Sequence, residues 1–90
     1  MERYIQRNQY EVTEMDSEWL ILNTDEFTVT KLNDVGGYCW QLLSETQTVE
    51  TLVEAVKTRY SPDQEENTLK EDIEAFLLHL KDCRLIQHVG

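Results

Sequence analysis

The chain has 90 residues, a mass of 10.7 kDa and 40% hydrophobic residues, which suits a single small globular domain over residues 1–90 and leaves no room for a second. Eight basic against 18 acidic residues give a formal net charge of −10, which argues strongly against nucleic acid as a partner and disfavours an anionic membrane surface. No apolar run is long enough to span a membrane, and the N-terminus has no secretory apolar stretch, so we expect a cytoplasmic protein.

Three short strands are predicted in the first third of the chain. Residues 10–15 alternate apolar and polar side chains, which is the period of a half-buried strand. Residues 19–23 and 27–32 are rich in aromatic and β-branched side chains. Polar loops of about three residues separate the segments, and loops that short join antiparallel neighbours. We therefore predict a three-stranded antiparallel sheet.

The hydrophobic period then changes to that of a helix. Asn33 is predicted as the N-cap of a first helix, and Thr48 opens a second helix that ends at residues 60–62. Gly36 and Gly37 fall inside the first helix, and we interpret them as close packing against the sheet rather than a phosphate-binding loop, which would need more glycines. The apolar faces comprise Val35, Tyr38, Cys39, Leu42 and Leu43 in the first helix, and Val49, Leu52, Val53, Val56 and Tyr60 in the second.

A third helix follows the only proline. Residues 61–64 have the S-x-x-Q form of a capping box, with Pro62 at the first helical position. We expect this helix to end near Cys83 and Leu85-Ile86 to pack back onto the core. Its core stripe comprises Leu69, Ile73, Phe76, Leu77 and Leu80. Strands followed by helices predict an α+β domain that is winged helix-turn-helix-like, with a three-stranded antiparallel sheet followed by three helices.

No arrangement of residues predicts catalysis. His79 and Cys83 lie four apart on one helix and could supply two metal ligands, but zinc needs three or four and no others stand at a suitable spacing. Nothing marks Cys39 or Cys83 as an activated thiolate, and we interpret both as small buried hydrophobes rather than a disulfide. Trp19 and Trp40 lie in apolar runs and are assigned to the core. We expect no catalytic residue, no metal and no cofactor.

A sheet edge is the remaining candidate for a binding surface. An uncovered edge strand is a ready site for the addition of an extended peptide. The segment 27–32 is rich in strand formers and carries a single charge, Lys31. Beside it, Ala75 and Leu78 widen the apolar arc of the third helix beyond what one packing face requires. We therefore predict a groove between this strand and that helix.

Five segments, taken in order, resemble the PqqD-like family. They are WLILN at 19–23, KLNDVG at 31–36, CWQLL at 39–43, TVETLV at 48–53 and DIEAFLLHL at 72–80, and the match ends at Leu85-Ile86. No single segment is diagnostic; the ordered set spans nearly the whole chain. The sequence departs from the family at Cys83-Arg84, where members commonly have a glycine.

The resemblance implies a non-catalytic recognition element for ribosomally made, post-translationally modified peptides. Family members hold the leader peptide of a precursor as an added strand between the third strand and the third helix. The chain looks like the free-standing version of lasso-peptide pathways, whose partners are a separate leader peptidase and an ATP-dependent cyclase. The expected peptide-binding residues are Phe27, Thr28, Val29, Thr30, Lys31, Leu32, Asp72, Ala75, Phe76 and His79.

Two alternative functions stay open at this point. Within the family, the runner-up is a peptide chaperone for pyrroloquinoline quinone or the companion of another radical enzyme. From a different class, a winged-helix DNA-binding regulator has topology alone in its favour. The recognition helix of such a regulator should be basic. The second helix carries two basic residues, Lys57 and Arg59, and two acidic residues, Glu50 and Glu54, so it lacks that basic character.

Two physical questions are also left open by the sequence. The backbone groups that face outward from strand 27–32 belong either to Thr28 and Thr30 or to Val29 and Lys31, because alternate residues point to opposite sides. The acidic surface either steers a basic leader or serves only to keep the protein in solution.

Overall fold

The computed structural model describes residues 2–60, 63 and 65–89. Within these residues, five strands and three helices follow one another along the chain. Their bounds are β1 Arg3–Gln6, β2 Glu11–Met15, β3 Glu18–Asn23, β4 Thr28–Asn33, α1 Asp34–Leu42, α2 Val49–Arg59, α3 Glu66–Asp82 and β5 Ile86–Val89.

The predicted α+β class, with three antiparallel strands followed by three helices, is confirmed. The sheet has the order β2-β3-β4, so β2 and β4 are its edges. Its register pairs Ile21 with Val12 on one side and with Thr30 on the other. β4, the third strand of this sheet, begins at Thr28 and not at Phe27 as predicted. Phe27 lies in the turn 24–27 with a φ of 54°, which no strand residue adopts.

A second, two-stranded sheet joins the two ends of the chain, and the sequence analysis missed both of its strands. β1 pairs with β5 in antiparallel register. The other side of β1 is bonded to the loop between α1 and α2, where Tyr4 and Gln47 exchange backbone hydrogen bonds of 2.8 and 2.9 Å. The Gln6 N–H also donates to the Leu43 carbonyl at 2.9 Å. β1 and β5 therefore connect the two ends of the chain to the segment that joins α1 and α2.

The first two helices begin where their capping residues predict. The Asn33 side chain accepts a hydrogen bond of 2.8 Å from the Gly36 N–H. Thr48 forms a capping box with Thr51, in which each side chain accepts from the other residue's N–H. These bonds satisfy N–H groups that the first turn of a helix leaves unpaired. The chain leaves α2 at Tyr60, its C-cap, also as predicted.

The third helix begins at Glu66, later than the predicted start at Pro62. Glu65 occupies the N-cap position and makes no side-chain capping bond. Ser61, Pro62 and Gln64, which belong to the predicted capping box, lie outside the described residues. The helical apolar period that starts at Leu69 marks the beginning of α3 more closely than the capping pattern does. No helix in the described part of the chain is long and apolar enough to cross a membrane.

The core lies between the inner face of the three-stranded sheet and the helices. Leu85 and Ile86 are buried in it, as predicted, and so is Trp40. A Cβ atom at Gly37 would overlap the indole of Trp19, so the glycine allows α1 to lie directly on β3. The buried apolar residues are Ile21, Leu32, Cys39, Trp40, Leu43, Leu52, Val53, Val56, Leu69, Ile73, Leu77, Leu80, Leu85 and Ile86.

Candidate functional site

The two edges of the three-stranded sheet differ in charge. β2 exposes Glu11 and Glu14, and charged side chains of this kind protect an edge against pairing with another chain. β4 carries only Lys31, and its ammonium lies 3.2 Å from the Glu18 carboxylate on β3. β4 is therefore the more open of the two edges.

The register shows which backbone groups of β4 face outward. A two-residue turn, with Asp16 at a φ of 46°, joins β2 to β3, and such turns close with a hydrogen-bonded pair, here Met15 and Glu18. Hydrogen-bonded and non-bonded pairs alternate along each antiparallel pair of strands. Trp19, Ile21 and Asn23 consequently direct their backbone groups towards β4.

The same alternation continues across β4. The partners of those β3 residues are Leu32, Thr30 and Thr28, so the N–H and C=O groups of these three residues are hydrogen-bonded to β3. Val29 and Lys31 therefore direct their N–H and C=O groups to the free edge. Their side chains are exposed on the outer face of the sheet, whereas those of Thr30 and Leu32 are buried.

A cleft of about 350 Å³ opens beside the end of β4, among the three helices. Its walls are mostly apolar, and its polar groups come from Asn33 and Asp72. A Cβ atom at Gly36 would lie 3.2 Å from Leu32 and 3.3 Å from the ring of Phe76, so β4, α1 and α3 meet at this point. The lining residues are Asn33, Val35, Gly36, Cys39, Val56, Leu69, Asp72, Ile73 and Phe76.

The C-terminal end of α3 is tied to the turn that precedes β4. The Arg84 guanidinium lies 3.1 Å from the Glu26 carboxylate. Arg84 has a φ of 61°, and the Leu85 N–H donates to the Leu80 carbonyl at 3.0 Å, which is the helix-ending geometry that glycine usually provides. The departure from the family pattern at Cys83-Arg84 thus leaves the end of α3 in place. The segment after α3 therefore contacts the turn before β4, and Phe76 of α3 lies near Gly36, just beyond the other end of β4.

The predicted site residues fall around this edge in distinct positions. Residues 28–32 lie in β4. Asp72 and Phe76 line the cleft, and Phe76 is half-buried and packs against the core. Ala75 and His79 are exposed on α3 and do not line the cleft. The strand edge and one flank of α3 are therefore brought together, with Asp72 and Phe76 nearest to the junction.

The remaining cleft residues were not predicted as site residues. Val35, Cys39, Leu69 and Ile73 belong to apolar stripes that the sequence assigns to the core, and so does Val56. In the folded chain these residues, from all three helices, also line the cleft beside the end of β4. The helical period gives no signal for this cleft, because it reports which face of a helix is apolar and not how far apart two helices lie.

The Cys39 thiol, which lines the cleft, is not activated as a nucleophile. Burial raises the pKa of the Cys39 thiol from 9.0 to about 12, the reverse of the shift that activates a cysteine. Cys83 Sγ and His79 Nε2 are 4.0 Å apart at the far end of α3. Among the described residues, no group of three or more His, Cys, Asp or Glu side chains is placed to hold a metal ion.

The sequence matches the profile of coenzyme PQQ synthesis protein D (PqqD) over residues 18–86. Comparison with curated protein sequences gives no match. The fold resembles the solved structure of TbiB1 in complex with the TbiA(beta) leader peptide, with a TM-score of 0.80 at 24% identity over 96% of this chain and 98% of that chain. It also resembles a lasso peptide synthetase B1 complexed with the leader peptide, with a TM-score of 0.76 at 19% identity over 93% and 96% of the two chains.

Proposed function

The chain belongs to the family of coenzyme PQQ synthesis protein D, and from this premise we propose that it binds the leader peptide of a ribosomally made precursor. The observation that carries the proposal is the open edge of β4 beside an apolar cleft. The two solved relatives are complexes with leader peptides, which supports the same class of ligand.

Strand addition to β4 is the mode of binding that we propose. The backbone groups of Val29 and Lys31 would pair with the leader, which gives affinity without requiring a particular sequence. Leader side chains that point to the inner face would meet the cleft walls, including Phe76 and the carboxylate of Asp72. Selectivity among leaders would come from these contacts.

The proposed role is presentation rather than catalysis. We infer that the chain hands the leader to a separate leader peptidase and an ATP-dependent cyclase of a lasso-peptide pathway, and that it turns over no substrate alone. The raised pKa of Cys39 supports a thiol that takes no part in chemistry. We place this function in the cytoplasm, where both cysteines stay reduced.

A binding titration with two matched variants tests the proposal. The ligand is a synthetic leader peptide of the precursor encoded beside the gene, and the measurement is isothermal calorimetry. Ala75 and Leu78 are both exposed on α3, but Leu78 borders a separate depression with Tyr4 and His88. We expect Ala75→Glu to weaken binding about tenfold or more, because it places a charge beside an apolar ligand, and Leu78→Glu to leave the affinity unchanged.

Three outcomes would count against this assignment. Absence of saturable binding by the unmodified chain would reject the leader as ligand. Unchanged affinity in Ala75→Glu would place the groove elsewhere. A fall in affinity of roughly 10³-fold or more between 50 and 200 mM salt would indicate a phosphate-binding surface, which the Glu50 and Glu54 side chains on α2 disfavour.

A further inference from the structure

The folded chain alone does not explain why residue 27 is a phenylalanine. Its φ is 54°, in the left-handed region, and the residue is 92% exposed. Glycine adopts this conformation freely, whereas a residue with a bulky side chain is strained in it. The exposed ring gains nothing from burial in return. A strained, uncovered aromatic residue indicates a contact with another molecule.

The turn around Phe27 is held by specific bonds. The Asn23 side chain is buried, and its Oδ1 accepts hydrogen bonds from the N–H groups of Asp25 at 3.1 Å and Glu26 at 3.2 Å. The Glu26 carboxylate in turn lies 3.1 Å from the Arg84 guanidinium. These contacts fix the turn 24–27, so the exposure of the ring is a property of the fold.

Phe27 directly precedes Thr28, the first residue of the open edge. An extended peptide added beside β4 passes this position where it leaves the sheet. We propose that Phe27 is an aromatic clamp, which packs against an apolar residue of the bound peptide just outside the segment that pairs with β4. This inference rests on the proposed leader-binding function and adds to it a side-chain contact at a stated end of the strand.

Fluorine NMR provides a direct test, because the chain has only two phenylalanines. Protein labelled with 4-fluorophenylalanine gives one signal from Phe27 and one from Phe76, and a Phe27→Leu variant assigns them. Phe76 lines the cleft and reports that the peptide is bound. On titration with the synthetic leader peptide, we expect both signals to shift with one saturation curve. We also expect Phe27 to lose its broadening by a soluble paramagnetic agent.

Each other outcome has a defined meaning. A shift of Phe76 alone would overturn the clamp and leave leader binding standing. No shift of either signal, together with no binding heat, would reject the proposed function and the clamp with it. A Phe27 signal that moves with protein concentration in the absence of peptide would assign the ring to a second copy of the chain, which also overturns the proposal.

A pair of glycine variants separates the clamp from a merely structural role. Phe27→Gly relieves the strained backbone, so we expect the melting temperature to rise by roughly 4–8 °C while leader affinity falls about three- to tenfold. Asp16 is the matched control, because its φ is 46° and it lies in the other hairpin turn, between β2 and β3. Asp16→Gly should leave leader affinity unchanged. Unchanged affinity in Phe27→Gly as well would overturn the clamp.

Discussion

Gly37 sets the distance between α1 and the sheet. It is buried inside a helix, where glycine is less favourable than alanine by about 1 kcal/mol. The compensation is contact with the Trp19 indole, which occupies the volume that a Cβ atom would need. Trp19 on β3 can therefore pack against α1 without holding the helix away from the sheet.

Alanine substitution at the two adjacent glycines tests this packing. Gly37→Ala should lower the free energy of unfolding by about 1–3 kcal/mol, because the new methyl group displaces a ring or a helix. Gly36→Ala is the control: its Cβ would lie 3.2 Å from Leu32 and Asn33 and 3.3 Å from Phe76, so these neighbours would have to move by only a few tenths of an ångström. The measurement is the urea concentration at the midpoint of unfolding, compared between variants whose unfolding free energy depends equally steeply on urea concentration. Equal midpoints for the two variants would contradict the account.

Burial of Cys39 predicts a pH dependence of stability. The pKa of its thiol is raised from 9.0 to about 12, so the folded state keeps a proton that the unfolded state releases. The stability that the neutral buried thiol contributes is fully present below pH 9. It is lost as the pH rises from 9 to 12, by about 1.4 kcal/mol per pH unit.

Urea unfolding between pH 8 and pH 10.5 measures this loss. Burial also raises the pKa of Tyr4 and of Tyr10, so the informative quantity is the difference between the unmodified chain and Cys39→Ala. We expect the variant to be less stable at pH 8 because it leaves a cavity, and its disadvantage to shrink above pH 9. Parallel pH profiles for the two proteins would contradict a buried neutral thiol.

At the scale of the element, β4 is divided into two sets of residues by its hydrogen bonds. Thr28, Thr30 and Leu32 use their backbone groups inside the sheet, and Val29 and Lys31 direct theirs to the free edge. Because proline lacks an N–H, its effect depends on the set in which it falls.

Proline at neighbouring positions should therefore give opposite results. Val29→Pro should keep the fold and weaken leader binding by about 1 kcal/mol or more, since it removes an outward donor. Thr30→Pro should unfold the domain or destabilise it severely. Circular dichroism reports folding, and calorimetry with the leader peptide reports affinity. Full-strength binding by a folded Val29→Pro variant would exclude strand addition at this donor.

At the scale of the whole molecule, the sheet of β1 and β5 connects the chain ends to the helices. β1 is bonded on one side to β5 and on the other to Gln47 and Leu43. The Gln6 side chain adds a hydrogen bond of 2.7 Å from its Nε2 to the Trp40 carbonyl. β1 therefore lies between two parts of the molecule that are far apart in sequence.

Removal of β1 should destabilise the entire domain. Deleting residues 1–6 removes several hydrogen bonds worth about 0.5–1.5 kcal/mol each, so we expect a loss of roughly 2–4 kcal/mol in the free energy of unfolding. Deleting only residues 1 and 2 stops short of β1 and should cost much less. Thermal and urea unfolding give the comparison. A small effect of the longer deletion would mean that β1 is peripheral.

The sequence by itself determined the features that depend on near neighbours. The Asn33 and Thr48 caps act through bonds to residues three positions away, and the apolar periods of strands and helices arise within single elements. The same local patterns, in order, sufficed to show the resemblance to the PqqD-like family and to predict the segment 27–32 as a candidate binding edge. Gly37 was also interpreted correctly, because a glycine in an amphipathic helix indicates a close neighbour.

The tertiary structure alone decided what depends on distant partners. β1 pairs with β5 at the opposite end of the chain, and four-residue strands carry too little pattern to reveal such pairing. The outward direction of Val29 and Lys31 is fixed by the turn at Asp16 and transmitted across β3, so no local property of β4 contains it. The same reason explains why Phe27 lies outside β4, although the sequence predicts it as the first residue of that strand. The hairpin turn that closes over Asn23 needs a residue in the left-handed conformation, and Phe27 occupies that position although its side chain does not favour it.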